Sequence, residues 1–313
     1  MNVDKILVTG GAGYLGSVLV GHLLRWGYSV TVLDNLLYGQ TSLLQYCSNP
    51  NFEFNLGDVR DEWLMRKLLK THDVILPLAA IVGAKACDRD PLMGRSVNFD
   101  ATVLLNSLRS PEQKVIFPCT NSGYGTKSGD SYCTEETPLE PISLYGETKV
   151  KAERELLGSP NTISLRFATV FGPSPRMRLD LLVNDFVYRA VTEGFLVIYE
   201  KDFKRNYIHI EDVAECFCFC LEHFDEMKGG AYNVGLKDAN LSKADLAMKI
   251  KEHVTSLYIH YAEVGSDPDR RNYIVSNEKI NRKGFIARHS LDEGIQQLLK
   301  AYRMLPRGDF RNG

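Results

Sequence analysis

The sequence predicts an α/β protein: a Rossmann-type, doubly wound parallel sheet with a smaller C-terminal α/β substrate lobe. Three observations lead there. Short apolar runs alternate with helical patterns through the first half of the 313 residues. The first run, Ile6 to Val8, opens into Gly10-Gly11-Ala12-Gly13-Tyr14-Leu15-Gly16, after which an apolar helix pattern begins. The second run, Ser29 to Leu33, ends on an acid, Asp34, about twenty residues further along.

Taken in order, the expected strands of the first half are Lys5–Thr9, Ser29–Leu33, Phe52–Asn55, Val74–Leu78, Lys114–Pro118 and Thr162–Phe167. Between them lie helical patterns at Ser17–Trp26, Leu36–Cys47, Arg60–Lys70, Pro91–Ser110 and Leu144–Gly158. Beyond about residue 172 the rhythm loosens. Helices are expected over Leu181–Thr192, Asp212–Phe224, a stretch to Val254 capped by Ser242, and Leu291–Leu305. Strands are expected at Phe195–Tyr199 and Tyr258–Ala262, and the tail from Pro306 to Gly313 reads as loose. The expected division is 1–172 for the dinucleotide and the catalytic pair, and 173–313 for the substrate, with the chain free to cross between lobes.

A net charge of −2 gives no broad basic face for nucleic acid. No apolar run approaches the ~20 residues a membrane span needs. Asp4 and Lys5 lead straight into a core strand, so no signal peptide is expected and a cytoplasmic location is. Seven scattered cysteines fit a reducing compartment. Cys216, Cys218 and Cys220 read as small apolar thiols in packing rather than as a metal or redox cluster, since residues two apart do not share a helical face. No metal is expected.

In an open parallel sheet, ligands sit at the carboxyl ends of strands. The glycine turn between strand and helix makes a phosphate site, because it brings backbone and a helix N-terminus close to a pyrophosphate; a plain tight turn is the other reading of the same residues. Asp34 can accept from both ribose hydroxyls and would repel a 2′-phosphate, which favours NAD over NADP. Asp58 with Val59 can hold an adenine, or Asp58 can cap a helix. Small residues at Ala79 and Ala80 let backbone pass close to a ribose and nicotinamide. Asn98 reads as a site residue or as a satisfied core amide. Tyr145 and Lys149, four apart, share a helical face, and a lysine cation there lowers a phenol pKa that starts near ~10. Such a phenolate can take a proton from a sugar hydroxyl while hydride leaves the same carbon.

These residues together resemble the extended short-chain dehydrogenase/reductases: Thr9-Gly10-x-x-Gly13-x-x-Gly16, a strand end with Thr120, and Tyr145-x-x-x-Lys149. Within them the chain looks like the nucleotide-sugar epimerases, dehydratases and dehydrogenases. Later markers are Leu165 to Pro173, Arg205 to Val213 and Tyr232 to Gly235. The resemblance implies that Gly10, Gly13, Tyr14 and Leu15 bind the pyrophosphate, Asp34 and Asn35 the adenosine ribose, and Asp58 and Val59 the adenine. Leu78, Ala79, Ala80 and Asn98 would line the path to nicotinamide. Tyr145 would be the base, Lys149 its tuner and ribose anchor, and Thr120 the hydroxyl that steadies the sugar oxygen. On the substrate side it implies Asn121, Ser122, Thr169, Asn184, Arg205 and Arg271, the two arginines gripping phosphates unless they are surface ion pairs. It also implies a homodimer or higher homo-oligomer.

One departure is informative. In the 4,6-dehydratases of this family the threonine is followed by Asp and Glu, which run water elimination; here Thr120 is followed by Asn121 and Ser122. An amide cannot donate or accept a proton as a carboxyl pair does. The expected reaction is therefore C4 oxidation of a nucleotide-activated hexose or heptose, ending as a 4-epimerase or a 4-dehydrogenase in surface-polysaccharide biosynthesis. The alternative is a non-catalytic NAD-sensing module of the same fold.

Overall fold

The computed structural model describes residues 4–127, 132–265 and 271–305; the expected loose tail lies outside them. In chain order the strands are β1 (Lys5–Thr9), β2 (Ser29–Asp34), β3 (Phe52–Leu56), β4 (Val74–Pro77), β5 (Lys114–Thr120), β6 (Tyr132–Cys133) and β7 (Thr162–Phe167). There follow β8 (Thr169–Phe171), β9 (Phe195–Ile198), β10 (Lys204–His209), β11 (Ala231–Val234), β12 (Asn240–Ser242), β13 (Tyr258–Tyr261) and β14 (Ile274–Val275). The helices are α1 (Tyr14–Arg25), α2 (Glu62–Leu69), α3 (Ala84–Arg89), α4 (Pro91–Arg95), α5 (Ala101–Leu108) and α6 (Leu144–Leu157). The second half adds α7 (Leu182–Thr192), α8 (Ile210–Glu222), α9 (Phe224–Met227), α10 (Lys243–His253), α11 (Glu278–Arg282) and α12 (Leu291–Ala301).

Seven parallel strands form one sheet in the order β11-β7-β5-β4-β1-β2-β3. The order reverses between β1 and β4, so a crevice opens at their carboxyl ends. There Thr9 stands level with Leu33 on β2 and Pro77 on β4. Both faces are covered, as a parallel sheet requires. On β1, Ile6 and Val8 pack with Leu19 and Leu23 of α1 and Val213 and Phe217 of α8. Leu7, between them, joins Met65 of α2, Leu105 of α5 and Leu156 of α6 on the other face. Cys216, Cys218 and Cys220 are fully buried within the first of these cores.

The boundary drawn at 172 does not part the sheet: α8 and β11, from beyond it, pack on or complete the large sheet. The rest of the second half gathers around its own core, with Val183 and Phe186 of α7, Leu246 and Ile250 of α10, and Ile295 and Leu298 of α12. Two smaller sheets, β12-β10-β8 and β14-β6, join this lobe to the segments that follow β7 and β5, and a third, β13-β9, lies within the lobe.

Two local expectations are corrected. Leu36–Cys47 is a loop with one 3₁₀ turn at Leu44–Tyr46. Asp34 and Asn35 accept the amides of Leu36 (2.9 Å) and Leu37 (3.1 Å), and Leu36 and Gly39 sit at positive φ. Such side-chain acceptors compete with helical bonding and win here. The cap of α2 is Asp61, whose carboxylate accepts from Leu64 at 3.0 Å, so Asp58 is released from that role.

Candidate active site

The glycine turn is shaped by close approach. Gly10 has φ +70°, and a Cβ on it would lie 2.6 Å from the Ala79 amide nitrogen; one on Gly16 would lie 2.5 Å from the Gly10 carbonyl oxygen. Helix α1 starts at Tyr14, and its cap, Gly13, offers no side-chain acceptor. Its first amides are thus left for a ligand. Asp34 is buried at the end of β2, where its carboxylate accepts from Ala12 N at 3.0 Å and braces the turn. Burial holds its pKa above the ordinary value. Asn35 donates to Asp58 at 3.2 Å, and Arg60 grips Asp58 through two 2.8 Å bonds. Arg60 brings the Asp58 carboxyl down to about 2. A bare backbone cradle with a carboxylate beside it fits the pyrophosphate and ribose diol of a dinucleotide.

Across the crevice, Tyr145 is the second residue of α6, whose cap Ser143 accepts from Gly146 at 3.2 Å. Lys149, one turn on, is 4% exposed, and its Nζ sits 3.9 Å from the Phe117 ring centroid. Burial lowers Lys149 to about 8 and raises Tyr145 to about 12. The expected lowering of the phenol by Lys149 is therefore corrected: desolvation dominates in the chain alone, with Arg178 and Arg271 pulling the other way. Another tyrosine of the crevice, Tyr14, is tied down. Tyr14 donates its hydroxyl to the Gly172 carbonyl at 2.7 Å and accepts from Asn184 at 3.3 Å. Among the described residues the Tyr145 hydroxyl has no such partner. Thr120 ends β5; its Oγ1 donates to Ser122 Oγ at 2.9 Å and accepts from Ser122 N at 3.1 Å. Ser122 Oγ also accepts from Arg271.

One crevice of about 920 Å³ gathers the predicted residues, from Gly10, Asp34 and Val59 at one end to Thr169, Arg205 and Arg271 at the other. Three predicted residues stand behind its wall instead. Asn98, in a π-turn at Ser96–Asp100, pins the loop after β4 by accepting from Ile81 N (2.8 Å) and donating to Ile81 O (2.9 Å). Asn184 accepts from Gly172 N at 3.1 Å and donates to Arg178 O at 2.9 Å. Asn121 is fully buried, and among the described residues its amide has no hydrogen-bond partner. Sequence reasoning missed Arg176, Arg178, Arg189 and Lys243, all of which line the crevice. The signal available was two arginines flanking one Met in a proline-rich loop, Pro173 to Arg178.

Residues 6–235 match the NAD dependent epimerase/dehydratase family. The chain belongs to that family. Its cofactor is NAD. The low-salt glycan biosynthesis protein Agl12 of Haloferax volcanii is 30% identical over 95% of this chain and 98% of its own length. The crystal structure of UDP-glucose 4-epimerase from Thermotoga maritima, with UDP-glucose, superimposes with a TM-score of 0.83 at 26% identity, over 96% of this chain and 99% of that one. That of dTDP-glucose 4,6-dehydratase from Bacillus anthracis, with NAD, also gives 0.83, at 24% identity over 96% and 97%. The fold of this family thus does not separate epimerases from dehydratases. No helix among the described residues is long and apolar enough to cross a membrane.

Proposed function

We propose that this family member oxidises C4 of a nucleotide-activated hexose or heptose, as a 4-epimerase or 4-dehydrogenase serving surface-polysaccharide biosynthesis. The observation that carries the reading is the Tyr145 hydroxyl, unengaged and facing the crevice one helical turn from a buried Lys149. Bound NAD supplies the hydride acceptor. Tyr145 Oη takes the proton of the C4 hydroxyl; Arg178 and Arg271 favour its ionised form against the burial that raises it, and Lys149, on the same helical face, anchors the nicotinamide ribose. Thr120 Oγ1, held by Ser122, steadies the sugar oxygen. Gly10, Gly13, Tyr14 and Leu15 hold the pyrophosphate, Asp34 and Asn35 the ribose, and Asp58 and Val59 the adenine. Leu78, Ala79 and Ala80 flank the nicotinamide, positioned from behind by Asn98. Arg205, Arg271, Ser122 and Thr169 take the nucleotide-sugar end, so the large sheet serves the cofactor and the smaller lobe the substrate. With Asn121 and Ser122 following Thr120, no carboxyl pair is present there to eliminate water, which argues against 4,6-dehydration.

A homodimer through the helices that begin at Pro91 and Leu144 is part of the proposal, and Leu92, 83% exposed, lies on α4.

Mass analysis of products from a panel of UDP-, GDP- and dTDP-sugars incubated with NAD tests the reading. An isomer of unchanged mass marks an epimerase, and a ketone lighter by two hydrogens marks a dehydrogenase. Loss of water, or no product from any sugar, overturns it.

A further inference from the structure

Residues 172–181, between β8 and α7, form a strap fastened to the dinucleotide half of the crevice. Ser174 Oγ donates to Tyr14 O at 2.7 Å and lies 3.1 Å from Ser17 Oγ, while the Tyr14 hydroxyl holds Gly172. Two buried arginines on this strap line the crevice. Arg178 is neutralised by a two-point bond to Asp180. Arg176 is not. Its NH1 donates to the Met177 carbonyl at 2.7 Å, and its guanidinium carbon lies 4.5 Å from the ring centroid of Tyr38, on the loop that follows Asp34. No carboxylate bonds it among the described residues, and the acid that acts on it, Asp180, is already held by Arg178. Arg176 is 8% exposed.

A buried cation with no anion bonded to it is costly, and such an arrangement suits a site where an anion arrives. We propose that Arg176 is an anion clamp on the cofactor side: it closes on the pyrophosphate of NAD from across the glycine turn and makes the strap a latch that retains the dinucleotide. Its place on Tyr38 puts it with the Asp34 loop. Arg271, on Ser122, belongs to the far end, so the substrate's phosphates have a separate cation. The inference rests on NAD as the cofactor and is independent of which sugar carbon reacts.

The test is cofactor binding by the full chain, wild type against Arg176→Met, with Arg176→Gln as the second variant should the first not fold. NAD content per chain is measured after dialysis, and NAD is then titrated calorimetrically into the stripped proteins at several salt concentrations. The expected result is NAD binding weakened roughly 10–100-fold, the usual range for a hydrogen bond to a charged group, with a shallower salt dependence. Adenosine, which lacks phosphate, and UDP, as the substrate-side probe, bind both proteins alike. Unchanged NAD affinity overturns the proposal. So does a loss of UDP affinity in place of NAD affinity, or a wild-type preference for NADP that the variant abolishes, since that places Arg176 on a 2′-phosphate. Because no turnover is read, failure here is distinct from failure of the C4 chemistry.

Discussion

The two walls of the crevice are built by opposite means. The wall from β1, α1 and β2 works with backbone: glycines at 10, 13 and 16 let the turn pack closely under an α1 start that has no side-chain cap, and its one acid, Asp34, is bonded to the turn it serves. The facing wall, from α6, the strap and β10, works with long side chains: half-buried Tyr145, and buried Lys149, Arg176, Arg178 and Arg205. The difference predicts how each wall fails. An atom added to the backbone wall strikes neighbouring backbone, so fold and binding go together. A group removed from the side-chain wall takes away charge or a proton carrier and leaves the fold standing.

The sharpest break would come at Tyr145. Tyr145→Phe is expected to lower turnover by roughly 10²–10⁴ with melting temperature and NAD content kept, the usual share of acid–base catalysis. Wild-type turnover would remove this wall's chemistry.

Lys149→Met should also abolish most turnover yet stabilise the protein. Burial lowers the lysine from 10.5 to about 8, so keeping it charged costs up to about 3 kcal/mol at neutral pH. Below pH 8 both folded and unfolded lysines are charged and the cost is full. It shrinks as pH rises from 8 towards 10.5, where the folded lysine is neutral and the unfolded one still charged. Melting curves of stripped protein should therefore show the variant's advantage largest near pH 7 and fading by pH 10.5. A variant less stable than wild type at pH 7 would contradict it.

On the backbone wall, Gly16→Ala puts a methyl 2.5 Å from the Gly10 carbonyl oxygen. Expected are about 1–3 kcal/mol of lost stability, measured by denaturant titration, and lost NAD binding with it. Behind the walls, Asn98→Ala removes both bonds to Ile81 and should cost about 1 kcal/mol, with a raised NAD dissociation constant and little change in turnover at saturating NAD.

The same contrast explains what could be read from the sequence. The glycine turn, Asp34 and the Tyr145–Lys149 face are local patterns, each set by spacing within one strand–turn–helix unit or one helix. Apolar runs such as Ile6 to Val8 likewise mark buried parallel strands without reference to distant residues. The strap was illegible as a site because Arg176 reaches Tyr38 only after the fold brings positions far apart in sequence together. β8 and β12 are three-residue strands that pair with β10, tens of residues away from each, so no local periodicity announces this sheet. Asparagines fared worst. Asn98, Asn121 and Asn184 have the chemistry of ligand contacts, yet composition does not say which way an amide points, and these three serve the loops or lie buried behind the wall.

The central claim is that Tyr145 draws the proton as hydride leaves C4. Incubating wild type and Tyr145→Phe with NAD and the accepted nucleotide sugar deuterated at C4 tests it most directly. The account predicts that wild type moves the label to nicotinamide, or returns it to C4 of an inverted product, and that the variant leaves it in place. Label washed from C4 into solvent, or transferred equally well by both proteins, would contradict it.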